Sequence, residues 1–218
     1  MIEKFEQAEQ IFKEIDAAAK EKIAIYTIGG AALLKRGLKP VTKDIDLVVS
    51  SRKEFLELQE TLVKIGFSKK IQGKEYTHMN LNQVFQRGEF SIDVFENEVC
   101  GKFSLSENMK KRVEKAIELN QITVYLCSNE DIFLFKNMTE RDGDIDDCFA
   151  IAQKGPDWNI ILEELKHQIK QSKQDIWITW VGERMDILED RGITIPIMDE
   201  LNKLREAHME KWMKEREK

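Results

Sequence analysis

The segment from Thr27 to Val49, "TIGGAALLKRGLKPVTKDIDLVV", places two aspartates inside an apolar run. The preceding run, "KIAIYTIGG", is rich in β-branched residues and stops at Gly29 and Gly30, which predicts a strand followed by a turn. "AALLKRG" then predicts a short helix that ends at Gly37, and "DIDLVVS" predicts the next strand. These elements, in the order strand, glycine turn, short helix and second strand, predict a sheet with helices packed against it.

The sequence before Ser128 alternates between helix and strand patterns. Apolar residues spaced three and four apart predict a helix over the first twenty residues, and a second helix follows a cap at Ser50 or Ser51 and ends at Gly66. Strand-like sequence then runs from Phe67 to Phe95 and is clearest in "EFSIDVFEN". A helix near 107 to 118 and a strand at "QITVYLC" complete this part.

No strand is predicted after Ser128. The segments "NEDIFLFKNMTE" and "DIDDCFAIAQK" predict helices, and about three more helices follow. We therefore expect an α+β protein, with a small mixed β-sheet and flanking helices over residues 1–127 and an all-helical domain over residues 128–218.

Composition excludes several classes of protein. The 218 residues carry a net charge of −6 without a basic block, so nonspecific binding to the nucleic-acid backbone is not expected. Cys100, Cys127 and Cys148 are far apart in apolar surroundings, which favours core thiols over disulfides or a zinc site. The first residues lack the pattern of a signal peptide, and no run approaches the ~18 apolar residues of a membrane span, so we expect a cytoplasmic protein without membrane contact.

The carboxylates of the second predicted strand form a pair. Asp44 and Asp46 lie two residues apart and therefore project from the same face of the strand. Two neighbouring like charges near a core cost several kcal/mol unless a cation offsets them, and Mg²⁺ prefers carboxylate oxygens. A third carboxylate, Asp93, lies in the strand "SIDVF". Three carboxylates on strands are what a two-metal phosphoryl or nucleotidyl transfer requires.

The glycine pair supplies a second element of such a site. Gly29 and Gly30 follow a strand and begin a helix, where backbone N–H groups can hold a phosphate. The residues suited to bind a metal and those suited to bind a phosphate thus lie in one part of the chain.

These motifs resemble those of the DNA polymerase β-like nucleotidyltransferase superfamily. The chain is similar to its branch of abortive-infection-type nucleotidyltransferase toxins and related uncharacterised prokaryotic proteins, best over Ile28 to Val49, less around Asp93, and again at "FLFKNMTERDGDIDDCFAI". The resemblance covers about a third of the chain and implies the nucleotidyltransferase fold, two Mg²⁺ ions, or Mn²⁺ in their place, and a nucleoside triphosphate. Many members have serine after the first glycine, whereas this chain has Gly30.

The resemblance also implies a nucleotide-binding role for four helical residues. The positions that match a lysine and a following Arg-Asp-rich helix are Lys136, Arg141, Asp144 and Asp147. Lys136 has a point charge that suits a triphosphate, and Asp144 and Asp147 would share a helix face. The alternative for Lys136 and Arg141 is a solvated helix face with a surface ion pair, and for Asp144 a helix N-cap.

Three functions fit the motifs. The first is a nucleotidyltransferase in which Asp44, Asp46 and Asp93 hold metal, Gly29 and Gly30 hold phosphate, and Lys136 binds the triphosphate. The second is a regulatory protein of the toxin–antitoxin type that uses the same fold to bind a partner, with the helical domain as the surface for a protein partner. The third is a glycosyltransferase, which the single strand before Asp-x-Asp does not favour. The acceptor, whether RNA, protein or a small molecule, is not encoded in a recognisable pattern.

Overall fold

The computed structural model describes residues 1–70, 83–99, 101–139 and 141–216. They form two compact units, Met1–Ser128 and Asn129–Lys218. The first unit combines a mixed β-sheet with helices, and the described residues of the second are helical. The fold is therefore α+β, as predicted. Among the described residues, no helix is both long enough and apolar enough to cross a membrane.

The first unit contains four described helices and nine described strands. The helices are α1 (Phe5–Ala18), α2 (Gly30–Lys35), α3 (Arg52–Lys64) and α4 (Glu107–Lys111). The strands are β1 (Ile23–Ile28), β2 (Asp44–Val49), β3 (Ser68–Lys69), β4 (Gln83–Arg87), β5 (Phe90–Glu96), β6 (Glu98–Val99), β7 (Phe103–Ser104), β8 (Glu114–Glu118) and β9 (Ile122–Leu126).

The described strands other than β6 and β7 form one sheet in the order β3-β4-β5-β2-β1-β9-β8. Strand β2 lies in its middle, antiparallel to β1 and parallel to β5, and β1 is parallel to β9. Because strand side chains alternate between faces, the fully buried Ile45 and Leu47 point away from the half-buried Asp44 and Asp46. Helices α1, α2 and α3 pack against the sheet.

Most elements of the first unit lie where the sequence predicts them. Helix α3 is capped by Ser51, whose hydroxyl accepts a hydrogen bond of 3.3 Å from the Glu54 amide, which decides between the two predicted caps. Residues 71–82, part of the predicted strand-like stretch, lie outside the described residues.

The predicted helix from 107 to 118 is wrong in its second half. Helix α4 ends at Lys111, and Glu114–Glu118 instead form β8, which pairs antiparallel with β9 and has an irregularity between Lys115 and Ile117. The sequence "EKAIE" has good helix formers, but pairing with β9 outweighs this local preference. The charged, largely exposed residues of β8 suit an edge strand, since they discourage pairing with another chain.

The second unit consists of five described helices, as predicted. They are α5 (Asn129–Asn137), α6 (Asp142–Ala152), α7 (Trp158–Ser172), α8 (Ile176–Asp190) and α9 (Met198–Arg216). Helix α5 contacts α6, α7 and α8, and α9 packs on α8. Cys127 and Cys148 are buried and take part in no disulfide among the described residues, which confirms the predicted core positions of these two, whereas Cys100 lies outside the described residues.

Candidate active site

The Asp-x-Asp pair lies on the central strand of the sheet. Asp44 is the first residue of β2 and Asp46 the third, and both are half-buried on the face opposite Ile45 and Leu47. The packing of Ile45 and Leu47 against the helices fixes which face of β2 is turned toward them. It therefore holds both carboxylates on the other face.

Asp93 joins this pair through strand register. Strand β5 runs parallel to β2, with Asp93 beside Asp46 and Ser91 beside Asp44. Register partners on adjacent strands project from the same face of a sheet. The structure therefore places all three predicted carboxylates on one sheet face, with Asp46 between Asp44 on its own strand and Asp93 on the next.

The two glycines lie against β2 and its approach. Gly29 has a φ of +73° and a ψ of −147°, a conformation almost restricted to glycine, and a Cβ there would lie 2.3 Å from Asp46 Oδ2. A Cβ on Gly30 would lie 2.1 Å from Thr42 Oγ1. Glycine at both positions thus lets the backbone at the start of α2 approach the Asp46 carboxylate and Thr42.

Thr42 is a site neighbour that the sequence did not single out. It is buried, bridges to Ile2, and donates a hydrogen bond of 3.2 Å from its hydroxyl to the Asp44 carbonyl oxygen. Thr42 therefore fixes the chain where it enters β2, and the missing side chain of Gly30 leaves room for the Thr42 hydroxyl. No sequence motif marks this role, because it depends on contacts between distant segments.

The carboxylates suit a hard divalent ion in chemical type. Among the described residues, no group of three His, Cys, Asp or Glu side chains is gathered closely enough to hold a metal ion. The register nevertheless aligns Asp46 with Asp93, and Asp46 Oδ2 faces the Cα of Gly29, where a side chain would fill the space. Carboxylate oxygens are the ligands that Mg²⁺ prefers. The side-chain types of these residues therefore fit such an ion, and metal binding here stays a prediction.

The four helical residues singled out by the resemblance form a cluster within the second unit. Lys136 Nζ lies 2.5 Å from Asp144 Oδ1 and 2.7 Å from Asp147 Oδ2. Only 8% of the Lys136 side chain is exposed, so its predicted alternative, a solvated helix face, is wrong. Asp144 and Asp147 share a face of α6, as their spacing predicts, and both contact the same ammonium. One lysine of α5 thus holds two carboxylates of α6.

Asp144 is the most heavily bonded member of this cluster. It also accepts hydrogen bonds from Thr139 Oγ1 and, at 2.8 Å, from Arg141 Nε. Burial alone would raise the pKa of the Asp144 carboxyl, but the charges of Lys136 and Arg141 and the hydrogen bonds from Lys136 and Thr139 lower it from 3.8 to about 2. Asp144 is therefore an ionised ion-pair partner. It lies inside α6 rather than at its N-cap, which is Arg141.

Arg141 differs from Lys136 in exposure. Its side chain is 57% exposed, and its Nε bonds Asp144. The exposed ion pair that the sequence offers as the alternative for Arg141 is therefore present, and a contact of Arg141 with the nucleotide stays a prediction.

Comparisons with known proteins identify the family to which the chain belongs. A family model described as "Nucleotidyltransferase of unknown function (DUF6036)" matches residues 3–179. A search of curated proteins finds no match. Among solved structures, the crystal structure of ANT(2")-Ia in complex with adenylyl-2"-tobramycin covers 85% of this chain and 98% of its own, at 17% sequence identity and a TM-score of 0.42.

Proposed function

Because the chain belongs to this family of nucleotidyltransferases, we propose that it transfers a nucleoside monophosphate from a nucleoside triphosphate to an acceptor. An acceptor hydroxyl or phosphate oxygen attacks the α-phosphorus, and the bond from that phosphorus to the pyrophosphate oxygen breaks, so that pyrophosphate leaves. The observation that carries the proposal is the register of Asp46 with Asp93, beside Asp44, on one face of the sheet.

The carboxylates have separate roles in this proposal. Asp44 and Asp46 would hold Mg²⁺, or Mn²⁺ in its place, and Asp93 would complete a second metal position. Such ions supply charge neutralisation for the triphosphate and the leaving pyrophosphate. Asp93 also accepts the proton from the acceptor hydroxyl, a task that suits a half-buried carboxylate on the same face.

The glycines are proposed to hold phosphate through backbone N–H groups. The structure supports this by the close approach of the Gly29 backbone to Asp46, since metal-bound phosphate must lie near both. Gly30 replaces the serine of many relatives, so the hydroxyl contact of those proteins has no counterpart at this position.

A nucleotide-binding role for Lys136, Arg141, Asp144 and Asp147 stays a prediction. Lys136 already contacts two carboxylates, so direct contact with a phosphate would add a third anion around one ammonium or replace one of the two. Within the cluster, Arg141 has the more exposed side chain. The acceptor is proposed only as RNA, protein or a small molecule, and the cytoplasm, where nucleoside triphosphates are used, is the proposed location.

The experiment is a survey of pyrophosphate release. Purified protein is incubated with each α-labelled nucleoside triphosphate, Mg²⁺, and pools of RNA, protein or small molecules. We expect one pool to take up label with equal release of pyrophosphate, and chelation of Mg²⁺ to stop both. Protein that binds a triphosphate but releases no pyrophosphate with any pool would contradict the proposal and support the regulatory alternative.

A further inference from the structure

The sheet face that holds the three carboxylates continues across β5 and β4. Ser91 of β5 lies beside Asp44 of β2, and Gln86 of β4 lies beside Ser91. Register partners project from the same face, so Ser91 and Gln86 extend the row that begins at Asp44. In the next row, Val84 of β4 lies beside Asp93. The face thus extends past the carboxylates within the first unit, and Val84, Gln86 and Ser91 form what we call the β4–β5 strip.

Burial distinguishes the two faces of these strands. On the face opposite the carboxylates, the central residues are fully buried, namely Phe85, Ile92 and Val94. The three residues of the β4–β5 strip are only half-buried, although they lie between the same strands. The strip is therefore partly accessible to a molecule that binds at the carboxylates.

The β4–β5 strip has hydrogen-bonding capacity that the described residues do not use. The Ser91 hydroxyl makes no hydrogen bond with the described part of the chain. Gln86 donates from Nε2 to the Gly88 carbonyl oxygen at 3.1 Å, and no described residue donates to its Oε1. A hydroxyl can both donate and accept, and an amide oxygen accepts. The two groups therefore match a ligand that carries hydroxyl groups.

Two cations of these strands point away from the strip. Arg87 of β4 contacts Glu14 of α1, and Lys69 of β3 donates a hydrogen bond of 2.8 Å to Gln59 of α3, so both lie on the helix side of the sheet. Lys70, which follows β3, is exposed and adds one lysine at the edge. A nucleic acid would need several cations along its phosphates. The neutral groups of the strip suit an uncharged ligand better.

The spacing of the strip suits a ligand the size of one sugar ring. Ser91 and Asp93 lie two residues apart on one strand, about 7 Å along it, and Gln86 lies on the next strand, about 5 Å away. One hydroxyl of a sugar can therefore reach Asp93 while others reach Ser91 and Gln86. Val84, beside Asp93, offers an apolar surface to the C–H groups of the ring.

We infer that the β4–β5 strip is the acceptor subsite and that the acceptor is a neutral, hydroxyl-bearing compound of the sugar class. The inference rests on the proposed function for the transfer itself. The sugar hydroxyl at Asp93 forms the new bond to the α-phosphorus and gives its proton to the Asp93 carboxylate, and pyrophosphate leaves with the electrons of the broken bond. Ser91 and Gln86 hold the other hydroxyls. The ordinary alternative is that both are solvated residues of the sheet.

The first test measures binding to the full chain by saturation-transfer NMR, with Mg²⁺ and a triphosphate that has a non-hydrolysable link between its α- and β-phosphorus atoms. The panel contains neutral monosaccharides and disaccharides, a single-stranded oligoribonucleotide and a serine-containing peptide. We expect a sugar to bind and neither polymer to displace it. Ser91→Ala and Gln86→Ala are each expected to weaken sugar binding about threefold to tenfold, since each loses one hydrogen bond, and to leave triphosphate affinity unchanged.

Gln83→Ala is the matched control. Gln83 is also a half-buried glutamine of β4, but it lies in register with Val94 and therefore on the opposite face. Its loss is expected to change sugar affinity by less than about twofold. Melting temperatures show whether each variant is folded. Because Gln86 also bonds Gly88 in the turn, Ser91→Ala tests the inference by itself if Gln86→Ala does not fold.

The second test follows transfer from α-labelled triphosphate to the same panel. We expect a sugar to take up label, and Ser91→Ala and Gln86→Ala to raise the KM for the sugar without changing the KM for the triphosphate. Absence of sugar binding, or equal sugar affinity in the wild type and the folded variants, overturns the inference. Pyrophosphate release with only the oligoribonucleotide or the peptide also overturns it and leaves the proposed function intact. Sugar binding that depends on Ser91, without pyrophosphate release, would support the subsite and contradict the transferase.

Discussion

Asp46 and Asp93 lie side by side in register on the adjacent parallel strands β2 and β5, and Asp44 lies two residues before Asp46 on the same face. Asp46 is thus the central carboxylate of the three, while the partner of Asp44 on β5 is Ser91. A central carboxylate has a neighbouring negative charge on each side. In the proposed function, Asp46 is therefore the carboxylate nearest to both of the others that would hold metal.

Asp46→Asn is therefore expected to weaken Mg²⁺-dependent nucleotide binding more than Asp44→Asn, and both more than tenfold. Neither is expected to lower the melting temperature, since removing one of several repelling charges offsets the loss of polar contacts. Nucleotide titrations at several Mg²⁺ concentrations provide the measurement.

Asp16→Asn is the control for the effect of any Asp-to-Asn change. Asp16 accepts hydrogen bonds from the amides of Gln121 and Ile122 at 2.6 and 3.1 Å, which is a structural role away from the carboxylate face. It should lower stability without changing nucleotide affinity. If Asp44→Asn and Asp46→Asn behave like this control, the pair is structural.

Asp93→Asn is expected to separate binding from chemistry. Asp44 and Asp46 can still hold the metal that accompanies the triphosphate, so affinity should stay within a few-fold of the wild type. Pyrophosphate release should fall by about 10²- to 10⁴-fold, because the amide does not accept the proton of the acceptor. Normal turnover in a folded Asp93→Asn protein would rule out the role proposed for this carboxylate.

The fold was largely predictable because periodicity and glycine positions are local signals. In the run "DIDLVV", half-buried and buried residues alternate over the first four positions, as in a strand, and Gly29 and Gly66 mark the ends of their elements. The sequence of β8 was misleading, because a strand that forms by pairing with β9 needs no strand-like sequence of its own. Edge strands of this kind are determined by tertiary contacts.

The candidate site was predictable only in part, for the same reason. Spacing placed Asp44 and Asp46 together, but their alignment with Asp93 depends on which strand neighbours β2. The contact of Lys136 with Asp144 and Asp147 depends on how α5 packs on α6.

Gly29→Ala is expected to damage both stability and metal binding. The backbone there has a φ of +73°, and the added Cβ would meet Asp46 Oδ2 at 2.3 Å, so the carboxylate must move. We expect a loss of about 1 to 3 kcal/mol in the free energy of unfolding, and weaker Mg²⁺-dependent nucleotide binding. Urea unfolding and nucleotide titration measure the two effects.

Gly37→Ala is the matched control for backbone strain. Gly37 has a φ of +67°, but nothing lies within 4 Å of its added Cβ. The Gly37→Ala protein should lose about 1 kcal/mol in the free energy of unfolding and keep its nucleotide affinity. A Gly29→Ala protein that is destabilised yet binds nucleotide as tightly as Gly37→Ala would show that the close approach to Asp46 has no functional role.

Lys136→Met is expected to lower the free energy of unfolding by about 3 to 5 kcal/mol. The change keeps most of the side-chain length but leaves the buried Asp144 and Asp147 carboxylates without their ammonium. Lys166→Met is the matched control, because Lys166 also contacts two carboxylates, Glu163 at 3.0 Å and Glu200 at 2.5 Å, but is 33% exposed. It should cost less than about 1 kcal/mol. Similar losses in the two variants would contradict a buried ion-pair cluster.

The ionisation of Asp144 should be visible in how the free energy of unfolding depends on pH. Its pKa in the folded state, about 2, lies below its ordinary value of 3.8, so the folded state holds this proton less tightly than the unfolded state. The resulting stability, about 2 kcal/mol, is fully present above pH 4 and is lost as the pH falls toward 2. Asp144→Asn should therefore remove that part of the pH dependence, measured by urea unfolding between pH 2 and 6.

Asp146→Asn, on the same helix but 71% exposed, should retain the wild-type pH dependence. If the difference between the wild type and Asp144→Asn stays constant across this range, the Asp144 carboxylate is not the ionised partner of Lys136.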